Sequence, residues 1–552
     1  DLQRKRLAAV KTDLDDAAVE AIRAGYAFEA PALEMGALVN GEALAEVPVR
    51  IPIAMTNRHG LVAGATGTGK TKTLQVLAEQ LSAAGVPVFA ADIKGDLSGI
   101  ASEGTSSEKL LERTESIGQA WQPAASPTEF FSLGGLGSGV PIRASIDSFG
   151  PLLLSKVLGL NSTQESSLGL VFHYAKKAEL PLVDLADLRA VVSHLVSAEG
   201  KAELAELGGL SKATAGVILR ELIMFADQGA DVFFGQPQID VAEFMRTSAD
   251  GRGIVSLLEV PSVHDKPALF STFLMWLLAE LYSTLPEVGD LPQPKLVFFF
   301  DEAHLLFKDA SKDFLDQVTR VVRLIRSKGV GIFFVTQTPK DVPSDVLAQL
   351  GSRVQHQLRA HTPDDAKALR ATVSTYPNSG YELDEVLTNL ATGEAIVTVM
   401  NEKGAPSPVA WTRLRAPQGS MSPTDPAVIA AAVDASPLTA KYGVAIDPSS
   451  AREKLTMKAA EAEQARTAEA EATATAAALE RQLAAEQKAV EKRMKAAQRE
   501  AEKRAKAAER AEAKRAREQA ARDERRLKQT VNAGVKVARV LVNTIFGSTR
   551  KR

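Results

Sequence analysis

The sequence predicts an α/β fold in which a mostly parallel sheet carries a large helical insertion and a long C-terminal helical tail. A short apolar strand, a glycine-rich turn, a helix and a second strand follow one another between residues 58 and 93, and a strand–helix–strand unit of this kind requires parallel strands. Two further apolar runs, 296–300 and 331–336, have the character of strands buried on both faces. Residues 451–530 consist mainly of Ala, Glu, Lys, Arg and Gln, which favour one long helix.

Composition excludes several classes of protein. The chain has 552 residues, more than a single hydrophobic core accommodates. It contains no cysteine, which excludes disulfide scaffolds, thiolate zinc sites, iron–sulfur clusters and thiol nucleophiles. The longest apolar run, residues 268–281, is short for a bilayer crossing and contains Glu280, so we expect a buried helix and no membrane span. Because the first residues are charged and unlike a signal peptide, we expect a cytoplasmic protein.

Shifts in composition along the chain predict its domain organisation. Proline and glycine mark boundaries between periodic segments, and a run rich in Pro, Ser, Asp and Ala precedes the long tail. The predicted segments are a small N-terminal cap (1–57), an α/β core (58–415) that includes a largely helical insertion (about 97–290), a linker (416–450), a long helix or Ala-based coiled coil (451–530) and an amphipathic basic C-terminus (531–552).

Charge is distributed unevenly between the body and the tail. Residues 451–552 contain 26 Lys and Arg against 15 Asp and Glu, whereas residues 1–450 contain 39 against 53. A basic tail of this kind could bind nucleic acid or another acidic surface, or it could be attracted to the acidic body of a neighbouring subunit. The sequence leaves these alternatives open.

The first group of residues that carries chemistry is a phosphate-binding loop. A segment of the form Gly-x-x-x-x-Gly-Lys-Thr follows an apolar strand and opens a helix, which is the context that this motif requires. Backbone N–H groups of such a loop bind phosphate oxygens, Lys70 reaches the β- and γ-phosphates, and the Thr71 hydroxyl is a ligand of Mg²⁺. We therefore expect ATP and Mg²⁺ to bind, with the nucleotide held by Gly64, Ala65, Thr66, Gly67, Thr68, Gly69, Lys70, Thr71, Lys72 and Thr73.

Two acidic residues follow the apolar run 296–300. That strand would deliver Asp301 to the carboxyl edge of the sheet, beside the phosphate loop, where it can hold Mg²⁺ and its water shell. Glu302 would then be placed to polarise the attacking water, because a carboxylate next to the metal-binding Asp suits hydrolysis. We predict Asp301 as a metal ligand and Glu302 as a catalytic residue.

Other polar residues are expected at the same edge of the sheet. Gln337 follows the strand 331–336 and is a candidate sensor of the γ-phosphate. The segment Asp92-Ile93-Lys94-Gly95-Asp96 follows the second strand, so its charges would face either the nucleotide site or the interior of a ring.

Phosphoryl transfer also calls for a cation that neutralises the developing negative charge. Arg326 lies just before the strand 331–336, Arg353 opens the next strand, and Arg58 precedes the strand of the phosphate loop. We take Arg326 and Arg353 as candidate catalytic cations and Arg58 as a candidate nucleotide ligand. Arg320 and Arg323 fall on the polar face of a helix, where we expect solvated side chains.

The chain resembles the HerA-like ATPases of the HerA–FtsK clan, and among them the YjgR-type helicase-like proteins. The motifs that carry the resemblance are Asn57-Arg58-His59, the loop 64–71, Asp92-x-Lys94-Gly95-Asp96, Asp301-Glu302-Ala303-His304 and Thr336-Gln337. The resemblance implies a RecA-like P-loop core, a hexameric ring, ATP hydrolysis at subunit interfaces and pumping of double-stranded DNA. It also implies that Glu302 is the catalytic carboxylate, that Gln337 senses the γ-phosphate and that Arg326 or Arg353 reaches a nucleotide across the interface.

Three functional hypotheses remain open at this point. The first is a hexameric DNA translocase, with a nuclease as a conceivable partner. The second is an ATP-driven motor or switch that acts on a protein, which the acidic body favours because a DNA-threading protein is expected to have basic loops. The third is a scaffold that binds ATP in order to assemble, which Glu302 argues against.

Overall fold

The computed structural model describes residues 14–204, 208–259, 267–307 and 312–527. It divides the chain into two compact units, one that ends at Met457 and one that begins at Lys458. The predicted α/β fold, with its mostly parallel sheet, large helical insertion and long C-terminal helix, is confirmed.

Twelve strands of the first unit form one sheet within the described residues. Their spatial order is β2-β1-β12-β11-β10-β3-β9-β8-β4-β7-β5-β6. All pairs from β10 to β6 are parallel, whereas the pairs from β2 to β10 are antiparallel. The strands are β1 Ala32–Asn40, β2 Glu42–Pro52, β3 Gly60–Ala63, β4 Val88–Asp92, β5 Thr128–Leu133, β6 Val140–Ile142, β7 Val255–Glu259, β8 Leu296–Phe300, β9 Val330–Thr336, β10 Ser352–Gln355, β11 Glu394–Thr398 and β12 Ala410–Leu414.

The central strands are buried on both faces, as their continuous apolar sequences predict. In β8, Phe298 and Phe300 pack into the core that the sheet shares with the helical insertion. Val297 and Phe299 pack into a second core on the opposite face. This alternation follows from the two-residue period of side chains along a strand.

Helices cover the sheet and build the insertion. They are α1 Asp16–Gly25, α2 Lys70–Ala83, α3 Glu108–Glu115, α4 Ile146–Val157, α5 Ser162–Lys177, α6 Leu185–Leu195, α7 Ala198–Leu204, α8 Lys212–Asp227, α9 Pro267–Thr284, α10 His304–Phe307, α11 Lys312–Ile325, α12 Ser344–Leu347, α13 Pro363–Val373, α14 Leu383–Asn389, α15 Pro426–Ala435, α16 Pro437–Tyr442 and α17 Ala451–Leu527. Among the helices of the described ranges, none combines the length and apolar character that a bilayer crossing needs.

The segment 97–290 contributes strands to the sheet as well as helices. Strand β7 joins the sheet from this segment, and β5 and β6 extend the parallel sheet beyond what the sequence pattern predicts. The reason is local: β6 is only three residues long and is preceded by a glycine-rich turn, so it has too little periodicity to be detected.

The N-terminal strands belong to the same sheet as the phosphate loop. Strands β1 and β2 form an antiparallel pair, and β1 then pairs with β12. The predicted cap of residues 1–57 thus contributes, in its described part, one helix and two strands at the antiparallel edge of the sheet.

Residues 416–424 form a strap across one face of α2. The Glu79 carboxylate accepts hydrogen bonds from the backbone N–H groups of Gln418 and Gly419, both at 2.8 Å. One turn earlier, the Gln75 amide donates to the Ser420 carbonyl at 3.0 Å. The segment 416–450, which its composition predicts to be a linker, is therefore ordered on the first unit through backbone hydrogen bonds that composition does not reveal.

The second unit is described as the helix α17 from residue 458 onward. Its side chains are largely exposed, and Glu and Lys or Arg pair at the spacing i, i+4, as in Glu491–Lys495 at 2.5 Å and Glu500–Arg504 at 3.0 Å. Such pairs stabilise a solvated helix by a few tenths of a kcal/mol each. The coiled-coil alternative stays a prediction, and the predicted amphipathic segment 531–552 lies outside the described residues.

Candidate functional site

The phosphate loop connects β3 to α2 at the carboxyl edge of the parallel strands. β3 lies between β9 and β10 in the sheet, and α2 begins at Lys70. Gly64, Gly67 and Gly69 have φ angles of 155°, 82° and 111°, which L-residues with side chains rarely adopt. At Gly64 a Cβ atom would also lie 2.4 Å from Cβ of His356. The loop therefore needs glycine here both for its backbone conformation and for space.

Lys70 folds back over this loop. Its Nζ donates hydrogen bonds to the carbonyl oxygens of Gly64, at 2.7 Å, and Ala65, at 3.1 Å. The side chain is buried, and burial lowers the pKa of Lys70, an effect that the carboxylates of Glu302 and Asp301 oppose. The ammonium is held at the loop by carbonyl groups that an incoming phosphate could replace.

His356 supports the phosphate loop through two hydrogen bonds, a role that the sequence pattern does not reveal. Its Nδ1 lies 3.1 Å from the Thr68 carbonyl oxygen and its Nε2 lies 2.9 Å from Oγ1 of Thr73. Burial and the nearby Lys70 lower the pKa of His356 to about 3, so the ring is neutral. Because a carbonyl can only accept, Nδ1 carries the proton and Nε2 accepts from the Thr73 hydroxyl. The available signal was position: His356 directly follows β10 at the same edge of the sheet.

The acidic pair lies at the end of β8, two strands away from β3. The backbone N–H of Glu302 donates to Oδ1 of Asp301 at 2.8 Å, and Glu302 has a φ of 49°, in the left-handed region. Both side chains are buried. Burial, together with the charge of Glu302, raises the pKa of Asp301 to about 7. A buried pair of carboxylates of this kind is stabilised by a nearby cation.

Lys94 provides one such cation. It follows β4, the parallel neighbour of β8, in which Ala91 lies opposite Phe300. Nζ of Lys94 bonds Oε1 of Glu302, and Nδ1 of His304 lies 3.2 Å from Oε2. Although burial acts in the opposite direction, the bond and charge of Lys94 lower the pKa of Glu302.

Oxygen ligands suited to Mg²⁺ lie beside the loop. Oγ1 of Thr71 donates to Oδ2 of Asp96 at 3.3 Å, and Oδ1 of Asp96 is buried without a hydrogen-bond partner in the described structure. With Asp301 these side chains supply hydroxyl and carboxylate oxygens, the donors that Mg²⁺ prefers. Asp92 has a different role, because its carboxylate accepts from the backbone N–H groups of Leu97, at 2.9 Å, and other residues of its own loop.

Gln337 lies between the two halves of the site. It is exposed at the end of β9 and lines a cavity of about 410 Å³ with His304, Phe307, Thr338 and Asp341. It also lines a smaller cavity with Ala65 and Thr66 of the phosphate loop.

Two of the predicted nucleotide ligands are engaged with the protein. Nζ of Lys72 donates to the carbonyl oxygen of Met421 in the strap at 2.7 Å. The Thr73 hydroxyl bonds His356, as described above. The structure therefore gives both residues supporting contacts.

The sequence pattern of the "Helicase HerA-like C-terminal" family matches residues 38–552. The chain belongs to this family. The resemblance that its spaced motifs indicate is thereby confirmed.

Sequence identity to individual proteins of this kind is low, and each alignment covers only part of both chains. The "Probable helicase MJECL08" of Methanocaldococcus jannaschii is 24% identical over 62% of this HerA-like chain and 64% of its own length. The "DNA double-strand break repair helicase HerA" of Sulfurisphaera tokodaii is 23% identical over 67% of each chain. The chain thus spans slightly less than two thirds of the first relative.

Two solved structures align with most of the chain at low sequence identity. The bacterial conjugative coupling protein TrwB, in complex with sulphate, aligns over 74% of this chain and 94% of its own at 16% identity, with a TM-score of 0.49. VirB4 of Thermoanaerobacter pseudethanolicus aligns over 73% and 99%, at 13% identity and a TM-score of 0.45.

The three candidate arginines of this HerA-like chain lie toward the opposite edge of the sheet. Arg58 and Arg326 precede β3 and β9, so they lie at the amino ends of the parallel strands, whereas the phosphate loop lies at the carboxyl ends. Arg326 pairs with Asp290 at 3.1 Å. Arg353, the second residue of β10, donates to Oγ1 of Thr375 at 2.6 Å. These placements, all within the described ranges, do not bring the three side chains to the loop of their own chain.

A different arginine contacts the loop. Nη2 of Arg359 donates to the Thr66 carbonyl at 3.2 Å, and Arg359 and Lys340 line the smaller cavity beside Gln337. Arg359 lies four residues after β10, so the signal was again its position at the carboxyl edge. The sequence pattern does not single it out, because the three candidate arginines lie near the starts of strands.

Proposed function

We propose that this HerA-like chain is a Mg²⁺-dependent ATP hydrolase. The observation that supports this proposal best is that four adjacent parallel strands, β3, β9, β8 and β4, end at one edge of the sheet. They carry the phosphate loop, Gln337, the pair Asp301–Glu302 and Lys94. A phosphate cradle beside a buried carboxylate pair is the arrangement that nucleotide hydrolysis requires.

Each group has a role that follows from its chemistry. The N–H groups of the loop and the ammonium of Lys70 bind the β- and γ-phosphates. Thr71 and Asp301 would hold Mg²⁺, which would neutralise charge on the phosphate oxygens when bound. Glu302 accepts a proton from the attacking water, and Gln337 orients that water or the γ-phosphate.

The ring is part of the proposal because the chain carries arginines at the edge opposite its own nucleotide site. In a head-to-tail ring, the amino edge of one subunit can face the carboxyl edge of the next. Arg58 and Arg326 lie close together at that amino edge, because the charges of Arg326 and Asp290 both act on the guanidinium of Arg58. We propose that Arg326, with Arg58 beside it, stabilises the transition state in the neighbouring subunit of a hexamer. Arg353 remains a weaker candidate because Thr375 and the ring of Tyr376 already engage it.

Double-stranded DNA is the client that the relatives favour. One relative is named as a probable helicase and another as a DNA double-strand break repair helicase. A protein client is the second candidate, because residues 1–450 contain 39 basic and 53 acidic residues, and DNA-threading loops are expected to be basic. A nuclease or another protein would be the partner in either case.

The test is ATP turnover by the purified full chain, with and without long duplex DNA, over a range of salt concentrations. Glu302→Gln is the blank, and Glu385→Gln is the matched control, because it makes the same chemical change at an exposed position of α14. Turnover that depends on Glu302 and rises with DNA, less so at high salt, supports the DNA motor. Turnover that depends on Glu302 but ignores DNA supports the protein client. Turnover that Glu302→Gln leaves unchanged would refute the hydrolase.

A further inference from the structure

We propose that Lys94 is a latch on Glu302: while its ammonium bonds the carboxylate, Glu302 is withheld from the attacking water and turnover without a client stays low. The inference rests on the proposed function, because it concerns the regulation of the same site. It goes further in naming a residue that restrains the reaction.

The first support is the state of the Glu302 carboxylate. Oε1 bonds Nζ of Lys94, and Nδ1 of His304 lies 3.2 Å from Oε2. Oε1 is therefore engaged by the ammonium, whereas Oε2 is buried without a hydrogen-bond partner in the described structure. A carboxylate that accepts a proton works best when its electron pairs are free to meet the water, and the bond to an ammonium weakens it as a base.

The second support is the difference in mobility that burial implies for the two partners. The Glu302 side chain is 7% exposed, whereas that of Lys94 is 45% exposed. Glu302 is fixed further by its backbone, whose N–H donates to Asp301 at 2.8 Å. Lys94 can rotate into solvent without opening the core, whereas Glu302 cannot leave. The ion pair is thus arranged to open from the lysine side.

The third support is the rigid backbone beneath Lys94. The Asp92 carboxylate accepts from the N–H groups of Gly95, at 2.7 Å, and Leu97, at 2.9 Å. Just beyond, the strap holds this loop, since the Thr424 hydroxyl donates to the Ser98 carbonyl at 2.7 Å. The backbone of residues 92–98 is anchored on both sides, so only the side chain of Lys94 needs to move.

Opening the latch requires an anion or a conformational step that draws the ammonium away. In a client-driven motor, that step belongs to engagement of the client, so basal hydrolysis is suppressed until work is available. The ammonium is compact and strongly hydrated, and it gains water when it leaves. This hydration offsets part of the interaction that is lost when the ion pair opens, so the latch can open.

The test compares ATP turnover, without client, for the full-length wild type and for Lys94→Met, Lys94→Arg and Lys94→Met combined with Glu302→Gln. Assays are run at about pH 8, where carboxylates are ionised. Lys367→Met, at an exposed position of α13, controls for the loss of a lysine. KM for ATP and the midpoint of thermal unfolding are measured for every variant.

The expected result is a kcat for Lys94→Met that rises roughly tenfold, because a general base contributes roughly 10²–10⁴-fold and the latch withholds only part of this. KM should stay within about twofold, Lys94→Arg should not raise kcat because it keeps a cation against the carboxylate, and the double variant should lose the gain. A purely structural role would lower stability without raising kcat.

Two different failures can be told apart. If turnover depends on Glu302 in the wild type but Lys94→Met is equal or slower, the hydrolase stands and the latch is wrong, since Lys94 then assists catalysis or is neutral. If neither wild type nor Lys94→Met loses turnover when Glu302 is changed to Gln, the proposed function fails and the latch falls with it. Should Lys94→Met not fold, Lys94→Gln replaces it under the same criteria.

Discussion

Nε2 of His356 lies 2.9 Å from Oγ1 of Thr73, so a fully buried imidazole on one strand end is hydrogen-bonded to the first turn of the helix behind the phosphate loop. The same ring reaches the Thr68 carbonyl through Nδ1. His356 therefore anchors the phosphate loop and the start of α2 to the end of β10.

Replacing His356 should loosen the loop. In His356→Leu both hydrogen bonds are lost: the Thr73 hydroxyl is left buried without this partner, which costs about 1–3 kcal/mol, whereas the Thr68 carbonyl keeps its bond from the Gly393 N–H at 3.1 Å. We expect a lower unfolding midpoint and weaker binding of a fluorescent ATP analogue. His361→Leu, at an exposed position, is the control. Unchanged nucleotide affinity in a folded His356→Leu protein would show that the loop holds its shape without this support.

Glu302→Gln should separate binding from hydrolysis. The change keeps the size of the side chain but removes its ability to accept a proton, so kcat should fall roughly 10²–10⁴-fold. Nucleotide affinity should change little, since Lys70 and the loop are intact. The measurement pairs single-turnover hydrolysis with equilibrium binding. A variant that loses binding to the same extent as hydrolysis would assign Glu302 a structural role.

Acid should destabilise the first unit through His59. The buried ring accepts from the Ile332 N–H at 3.0 Å and donates to the Val322 carbonyl at 2.7 Å, which only the neutral form can do. Burial lowers the pKa of His59 to about 4, against 6.5 for the free side chain. Below pH 6.5 His59 binds a proton in the unfolded chain but stays neutral in the folded chain. The contribution of His59 to the free energy of unfolding therefore falls as the pH falls toward 4.

The measurement is urea unfolding of wild type and His59→Asn at about pH 7.5 and pH 5. The wild type should lose about 2 kcal/mol relative to the variant over this interval, because one pKa unit corresponds to about 1.4 kcal/mol. The comparison with the variant matters because the raised pKa of Asp301 acts in the opposite direction. A constant difference between the two proteins would contradict the assignment.

How much the sequence could predict depended on whether a feature was local. The phosphate loop, β8 with its acidic pair and β9 were predictable because each is a contiguous motif with its own periodicity. His356 and Arg359 were not, because they reach the loop only once β10 lies beside β3, nearly three hundred residues away in the chain. The strap was hidden for the same reason: Glu79 bonds the backbone of Gln418 and Gly419, which leaves no trace in composition.

The strap should matter for stability. Glu79→Ala removes the acceptor of two backbone N–H groups at 2.8 Å, and hydrogen bonds to a charged group contribute about 1.5–3 kcal/mol each. Burial raises the pKa of Glu79, and the backbone hydrogen bonds oppose this shift because they favour the ionised carboxylate. We expect easier cleavage of the segment 416–424 by a low dose of protease, with Glu115→Ala on exposed α3 as the control. Wild-type cleavage kinetics in Glu79→Ala would mean that the strap is held by its other contacts alone.

Mixing inactive subunits should reveal whether Arg326 acts across an interface. Arg326→Ala retains its own phosphate loop but lacks the proposed cation, whereas Lys70→Ala lacks the loop lysine but still offers Arg326 to a neighbour. Each variant alone should be nearly inactive. Rings assembled from equal amounts, by co-expression with two affinity tags, should regain activity at roughly a quarter of their interfaces, where an intact loop meets an intact arginine.

The pairing of Arg326 with Asp290 does not stand in the way of this role, since both side chains are substantially exposed and surface ion pairs contribute about 0–1 kcal/mol. Arg323→Ala is the matched control, as Arg323 lies one turn earlier on the exposed face of α11. It should retain activity alone. If the mixture of Arg326→Ala and Lys70→Ala stays as inactive as its components, the arginine does not act in trans, and Arg359, which already touches Thr66 within the same chain, becomes the cation to replace next.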